Sequence, residues 1–63
     1  MKKIDFTYWE DNGVWLGYLD EFPDYVTQGM SFDDLKAHLA DLFTDLTAGV
    51  IPGVRRRAKL ELV

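Results

Sequence analysis

The sequence predicts an α+β fold: a β-β-β-α-β two-layer sandwich with one helix on one face of a mixed four-stranded sheet. Three observations predict it. Apolar and polar residues alternate on both sides of Asn12-Gly13, apolar residues recur at steps of three and four over 32–46, and alternation returns over 54–63. A crossover helix makes the two strands that it joins parallel, with a right-handed connection, so we expect the strand order 3-2-1-4.

The first two strands are predicted at residues 2–9 and 14–20, joined by Asn12-Gly13. An Asn-Gly pair between alternating segments is the strongest short hairpin signal, because both central residues of a type I′ turn need positive φ. Counting outward from a two-residue turn, we expect Trp9 to lie opposite Leu16. A turn at 21–24 and a third strand at 25–28 follow.

The helix begins after Ser31, a good N-cap, and Asp34 lies three residues later as in a capping box with Asp in place of Glu. Gly49 is expected just past the end of the helix, and Pro52 prevents its continuation. One apolar stripe is expected to face the sheet: Phe32, Leu35, Leu39, Leu42, Phe43 and Leu46.

The fourth strand is predicted at Val54–Val63, and it contains a basic run at 55–59. One interpretation of the run is a contact with phosphate or with an acidic partner. The other, which the charged character of edge strands favours, is protection against unwanted strand addition.

One helix can cover only one face of the sheet. Gly17 leaves room for close helix contact, so we expect the helix on the face that also carries Ile4, Phe6 and Leu19. The other face is then exposed although it is rich in apolar side chains, which is typical of an interaction surface. The alternative is an ordinary sheet with half-exposed cross-strand pairs. The predicted oligomer interface consists of Trp9, Val14, Leu16 and Tyr18.

The length, composition and net charge of the chain make some classes of function improbable. The chain has 63 residues, no cysteine and a net charge of −4. An acidic chain is a poor nucleic-acid-coating protein, so no direct nucleic-acid binding is expected. No apolar run approaches the roughly 20 residues of a membrane span, and the start lacks the apolar stretch of a signal peptide, so we expect no membrane contact and a cytoplasmic location. A core this small favours a homodimer or higher oligomer.

Catalytic chemistry is not indicated. Four acidic residues fall short of the converging carboxylates of a two-metal nuclease: Asp5, Asp20, Glu21 and Asp24. His38 has no second histidine or cysteine with which to bind a metal. We therefore predict no enzyme activity, no metal and no cofactor.

Residues 15–35 carry a resemblance to a known family. They read WLGYLDEFPDYVTQG followed by MSFDDL: an aromatic-rich strand, a proline turn, a Thr-Gln-Gly segment and a capped helix start with acidic residues. This string resembles the small HicB-family antitoxins, and Ile51-Pro52-Gly53-Val54 is similar to the shorter members. Longer members often have Gly-Cys after the turn proline, where this chain has Asp24-Tyr25.

The resemblance implies a partial RNase H-like domain over 1–63. Longer members append a helix-turn-helix or ribbon-helix-helix module that binds the operator, whereas this chain stops at about the predicted fourth strand. We therefore expect no separate DNA-binding domain and no autorepression by this polypeptide alone. It implies a bacterial type II antitoxin that neutralises a HicA-type mRNA endonuclease by direct protein contact. The alternative is a stand-alone oligomeric interaction or ligand-sensing module with no toxin partner. Within the antitoxin hypothesis, the expected toxin-binding residues are Asp20, Glu21, Asp24, Tyr25, Asp41 and Asp45.

Overall fold

The computed structural model describes residues 2–62, in which three antiparallel strands form one sheet and a helix packs on it. The order along the chain confirms the α+β class. The elements are β1 (Phe6–Asp11), β2 (Val14–Leu19), β3 (Thr27–Gly29) and α1 (Phe32–Thr47), and the sheet order is β1-β2-β3. Within residues 2–62, no helix is both long enough and apolar enough to cross a membrane.

The β1–β2 hairpin has the predicted register. Asn12 and Gly13 have φ values of 52° and 82°, as a tight turn between two strands requires. Trp9 lies opposite Leu16, which confirms the expected pairing. The bounds of β1 differ from the predicted 2–9, because the ladder continues to the turn at Asp11 and begins only at Phe6.

The connection from β2 to β3 is longer than predicted, and its aromatic residues belong to the core. Phe22 is 1% exposed, and its N–H donates to the Leu19 carbonyl at 2.8 Å. The Tyr25 N–H then donates to the Phe22 carbonyl at 3.2 Å, and its ring packs against the core. These turns use the chain up to residue 26, so β3 begins at Thr27 rather than at the predicted Tyr25.

Helix α1 begins and ends at the predicted signals. The Asp34 N–H donates to the Ser31 side-chain oxygen at 3.1 Å, and the Asp34 carboxylate accepts from the Met30 N–H at 2.9 Å. The capping interaction is therefore reciprocal, but it reaches one residue further back than a standard capping box. At the other end, Gly49 has a φ of 77°, which a residue just past a helix commonly adopts.

Two glycines allow the helix to approach the sheet closely. A Cβ at Gly17 would lie 3.2 Å from the Leu35 side chain and 2.8 Å from the Thr7 carbonyl. A Cβ at Gly29 would lie 2.5 Å from the Leu35 backbone nitrogen. The helix therefore packs on β2 and β3. The buried core consists of Leu19, Phe22, Leu35, Leu39 and Leu46.

Residues 54–62 form no strand in the structure, and the predicted order 3-2-1-4 is not present. Val54 packs against the core, but every residue from Arg55 to Leu62 is exposed. The segment contacts the turn after β2, where the Arg57 N–H donates to the Glu21 carbonyl at 3.0 Å. A backbone group held there is not available to pair with β1. Val63, the predicted last residue of the fourth strand, lies outside the described residues.

Candidate interaction surfaces

The face of the sheet opposite α1 carries an apolar patch. Ring contacts fix which face is which: Trp15 lies 5.8 Å from Phe32 of the helix, measured between ring centroids, and Tyr8 lies 5.0 Å from it. Because side chains alternate along a strand, the neighbours of these residues point away from the helix. This surface, called here the open face, consists of Trp9, Val14, Leu16 and Tyr18.

The open face is held together by cross-strand pairs. The Trp9 and Tyr18 ring centroids are 6.1 Å apart at an interplanar angle of 62°, an edge arrangement that aromatic pairs favour. Trp9 is 40% exposed, and the other three residues are half-buried only by their neighbours on the sheet. Such a patch binds a partner by removing apolar area from water.

The predicted toxin-binding residues divide into two regions, and the first is the turn after β2. Asp20 accepts a hydrogen bond from the Thr7 hydroxyl at 2.6 Å. Glu21 and Asp24 are exposed, whereas Tyr25 is half-buried against the core. The carboxylates of Asp20, Glu21 and Asp24 form one surface, called here the acidic rim. The Tyr25 ring packs against the core, so little of it is available to a partner.

The basic run lies against this acidic rim, which the sequence analysis did not predict. A nitrogen of the Arg55 guanidinium is 3.5 Å from an Asp24 carboxylate oxygen, in an ion pair whose side chains are 82% and 52% exposed. The Arg56 guanidinium lies 5.7 Å from the centroid of the Phe22 ring. Exposed pairs of this kind contribute little stability, about 0–1 kcal/mol. The opposite charges at 20–24 and 55–59 were the signal that could have revealed the contact.

A cavity of about 340 Å³ separates part of the basic run from the end of the hairpin. Its walls combine carboxylates of the hairpin with cationic side chains of the C-terminal segment. The lining residues are Asp5, Asp20, Glu21, Arg57, Ala58 and Lys59.

The second predicted region is one flank of the helix. Asp41 and Asp45 are both exposed, and helical spacing places them on the same flank as Asp34 and His38. The His38 Nδ1–H donates to the Gln28 carbonyl at 2.5 Å, so this flank borders β3. The acidic rim and the helix flank are therefore separate surfaces, and no ion pair within residues 2–62 joins them.

His38, which the sequence analysis considered as a metal ligand, lies in a structural contact. Within 2–62, no group of three histidine, cysteine, aspartate or glutamate side chains is placed to hold a metal ion. Both His38 nitrogens have structural neighbours, since Nε2 lies 3.7 Å from the Asp34 carboxylate and Nδ1 is bonded to β3. His38 thus joins the helix to β3.

Together these features define a small α+β domain with an apolar sheet face, an acidic rim and an acidic helix flank. In comparisons with known proteins, no family model, curated protein or solved structure matches the chain.

Proposed function

We propose that this chain is the antitoxin of a type II toxin–antitoxin pair and neutralises a HicA-type mRNA endonuclease by direct contact. The observation that carries the proposal is the HicB-like string at residues 15–35. In the fold, that string is one continuous unit: β2, the turn anchored by Phe22, β3 and the capped start of α1. A motif that spans a whole structural unit is a stronger basis than separate short matches.

Charge supports the same proposal. An endonuclease that binds mRNA needs a cationic surface, and this chain has a net charge of −4 with exposed carboxylates on both candidate surfaces. Complementary charge increases the association rate and selects the partner. Since an mRNA endonuclease acts where mRNA is translated, the proposal places this chain in the cytoplasm. In this role the chain contributes contact surface rather than catalysis.

The proposal is tested by binding to the small basic protein encoded by the neighbouring open reading frame. We expect a submicromolar Kd in titration calorimetry, which corresponds to a binding free energy beyond about −8 kcal/mol. Heat signals that remain at the level of dilution, with both proteins folded, would contradict a direct inhibitor.

Charge reversal should identify which acidic surface meets the toxin. We expect Asp20→Lys with Glu21→Lys to slow association about tenfold at low salt and to weaken its salt dependence, because electrostatic steering is lost. Stopped-flow fluorescence measures both quantities. The matched variants are Asp41→Lys with Asp45→Lys on the helix flank, and Glu10→Lys with Asp11→Lys on the hairpin. All three pairs change the net charge equally, so an equal effect from each would contradict a localised toxin contact.

We propose that the open face mediates self-association. Exposed apolar patches are unfavourable in water, and the edge-packed rings of Trp9 and Tyr18 suit the desolvated centre of an interface. We also propose that the part of residues 54–62 beyond the Arg57 contact forms the fourth strand beside β1 in the assembled protein, which gives the order 3-2-1-4. Their alternation, with Ala58, Leu60 and Leu62 on one side, supports this.

Tyr18→Lys is expected to halve the mass of the assembly, because a buried ammonium without a partner is too costly for an interface. Sedimentation velocity measures the mass, and circular dichroism checks that the hairpin still forms. Val50→Lys, at a side chain 68% exposed after the end of α1, is the control. An unchanged sedimentation coefficient for Tyr18→Lys would refute the assignment of the interface.

A second candidate function is a stand-alone oligomeric interaction or ligand-sensing module. The apolar open face favours it, since self-association needs no toxin. A neighbouring gene that encodes no ribonuclease, together with an oligomer that inhibits none, would favour this candidate over the antitoxin.

A further inference from the structure

Strand β1 has an edge that lacks a strand partner among residues 2–62. The sheet order β1-β2-β3 places β1 at one side, and it is six residues long, whereas β3 at the other side has only three. An edge strand presents backbone N–H and C=O groups that readily pair with another strand. The longer edge at β1 is therefore the site where the sheet can be extended.

An apolar groove runs beside this edge. The helix packs on β2 and β3 and leaves a cavity of about 180 Å³ between its other flank and β1. Side chains from the sheet and the helix line it: Ile4, Phe6, Leu19, Lys36, Leu39 and Ala40. A strand added to β1 would place every second side chain over this groove.

The C-terminal segment has the properties of such a strand. Leu60 and Leu62 lie on one side of the alternation and are 84% and 86% exposed. From Ala58 onward, one side of its alternation is apolar, and Lys59 and Glu61 lie on the opposite side. Residues 58–62 in extended conformation span about 16 Å, which is enough to cover most of the six-residue strand β1.

The segment does not occupy the groove of its own chain. Val54 packs against the core and Arg57 is bonded to Glu21, so the segment is held at the turn after β2. The residues that follow are exposed. The radius of gyration is 13.0 Å and the longest dimension is 44 Å, whereas a compact chain of this length has a radius of about 11 Å. The segment therefore extends beyond the body of the domain.

From these observations we infer that two copies exchange their C-terminal segments, so that residues 58–62 of each copy add a strand to β1 of the other. Reciprocal exchange about a two-fold axis closes both edges at once and leaves neither groove exposed. This inference rests on the proposed fourth strand, and it adds that the strand comes from the other copy of the chain. The exchange interface is distinct from the open face. The full assembly is therefore a tetramer, in which two exchanged dimers associate through their open faces.

Oligomeric state tests the interface without disturbing the core. In the Tyr18→Lys background, where the open face no longer associates, we expect a dimer by sedimentation velocity. Adding Leu60→Asp and Leu62→Asp should give a monomer that keeps the helical circular dichroism signal of α1. The matched control adds Val26→Asp and Met30→Asp, two exposed apolar residues elsewhere, and should remain a dimer. A monomer before the aspartates are added would overturn the exchange.

Spin labelling shows which chain supplies the strand, since the protein has no cysteine of its own. A nitroxide on Glu61→Cys in unenriched protein is mixed by co-refolding with ¹⁵N-enriched unlabelled protein, both with Tyr18→Lys. Exchange predicts broadening of the β1 amide signals of the enriched chain. Broadening only when the label and isotope share one chain would overturn exchange while keeping the fourth strand. If the β1 signals broaden neither in the mixed sample nor in the sample with label and isotope on one chain, both the exchange and the fourth strand are overturned. Toxin binding is measured separately and does not depend on this result.

Discussion

Phe22→Ala is expected to leave most of the chain unfolded at room temperature. Phe22 is 1% exposed and is one of the two largest fully buried side chains. Truncation of a buried phenylalanine costs about 3–5 kcal/mol, because transfer free energy is lost and a cavity remains. A single core of this size supplies roughly 3–5 kcal/mol in total, so one substitution removes nearly all of it.

Urea unfolding followed by tryptophan fluorescence measures this loss, at one fixed protein concentration because assembly adds stability. Val26→Ala, at an exposed position in the same connection, should change the free energy of unfolding by less than about 0.5 kcal/mol. If Phe22→Ala unfolds at the same urea concentration as the native sequence, Phe22 does not anchor the turn, and the position of the acidic rim is wrong as well.

Gly29→Ala is the second substitution with a large expected effect. The added Cβ would lie 2.5 Å from the backbone nitrogen of Leu35 and 2.8 Å from its Cα. Backbone atoms in a helix cannot rotate away as a side chain can, so β3 and α1 must separate. The expected cost is about 2 kcal/mol or more, which corresponds to a fall in Tm of about 10 °C or more in a domain of this size.

Thermal unfolding by circular dichroism checks this prediction. The matched control is Gln28→Ala, at an exposed neighbour in the same strand. Because the His38 bond uses the Gln28 backbone carbonyl, the control keeps it. Equal Tm values for Gly29→Ala and the native sequence would mean that β3 and the start of α1 are further apart than described.

Local signals in the sequence were sufficient for the hairpin and the helix. The φ values that Asn12 and Gly13 adopt are those that an Asn-Gly turn favours, and a two-residue turn fixes every pair up to Phe6. The Ser31 cap and Gly49 mark the ends of α1. The open face followed from the same register, because alternation assigns each side chain to one face.

Longer-range contacts were not available from local patterns. Phe22 lies in a turn-like string, yet it is buried in the same core cluster as the distant Leu39 and Leu46. The turns around it extend to residue 26, so β3 begins later than predicted. The alternation at 54–62 resembles a strand, but the Arg57 N–H bonds to Glu21 rather than to β1. The charge of the acidic residues was enough to choose them as candidate toxin-binding residues. Only the fold shows that Asp20 and Glu21 lie on a different surface from Asp41 and Asp45.

The most direct test of the antitoxin proposal is a ribonuclease titration. The small basic protein encoded beside this chain is assayed for mRNA cleavage as increasing amounts of the folded chain are added. Cleavage is predicted to stop once the chain is present in equal or slightly greater molar amount, since each bound toxin is removed from its substrate. Undiminished cleavage in the presence of excess folded chain would contradict neutralisation by direct contact.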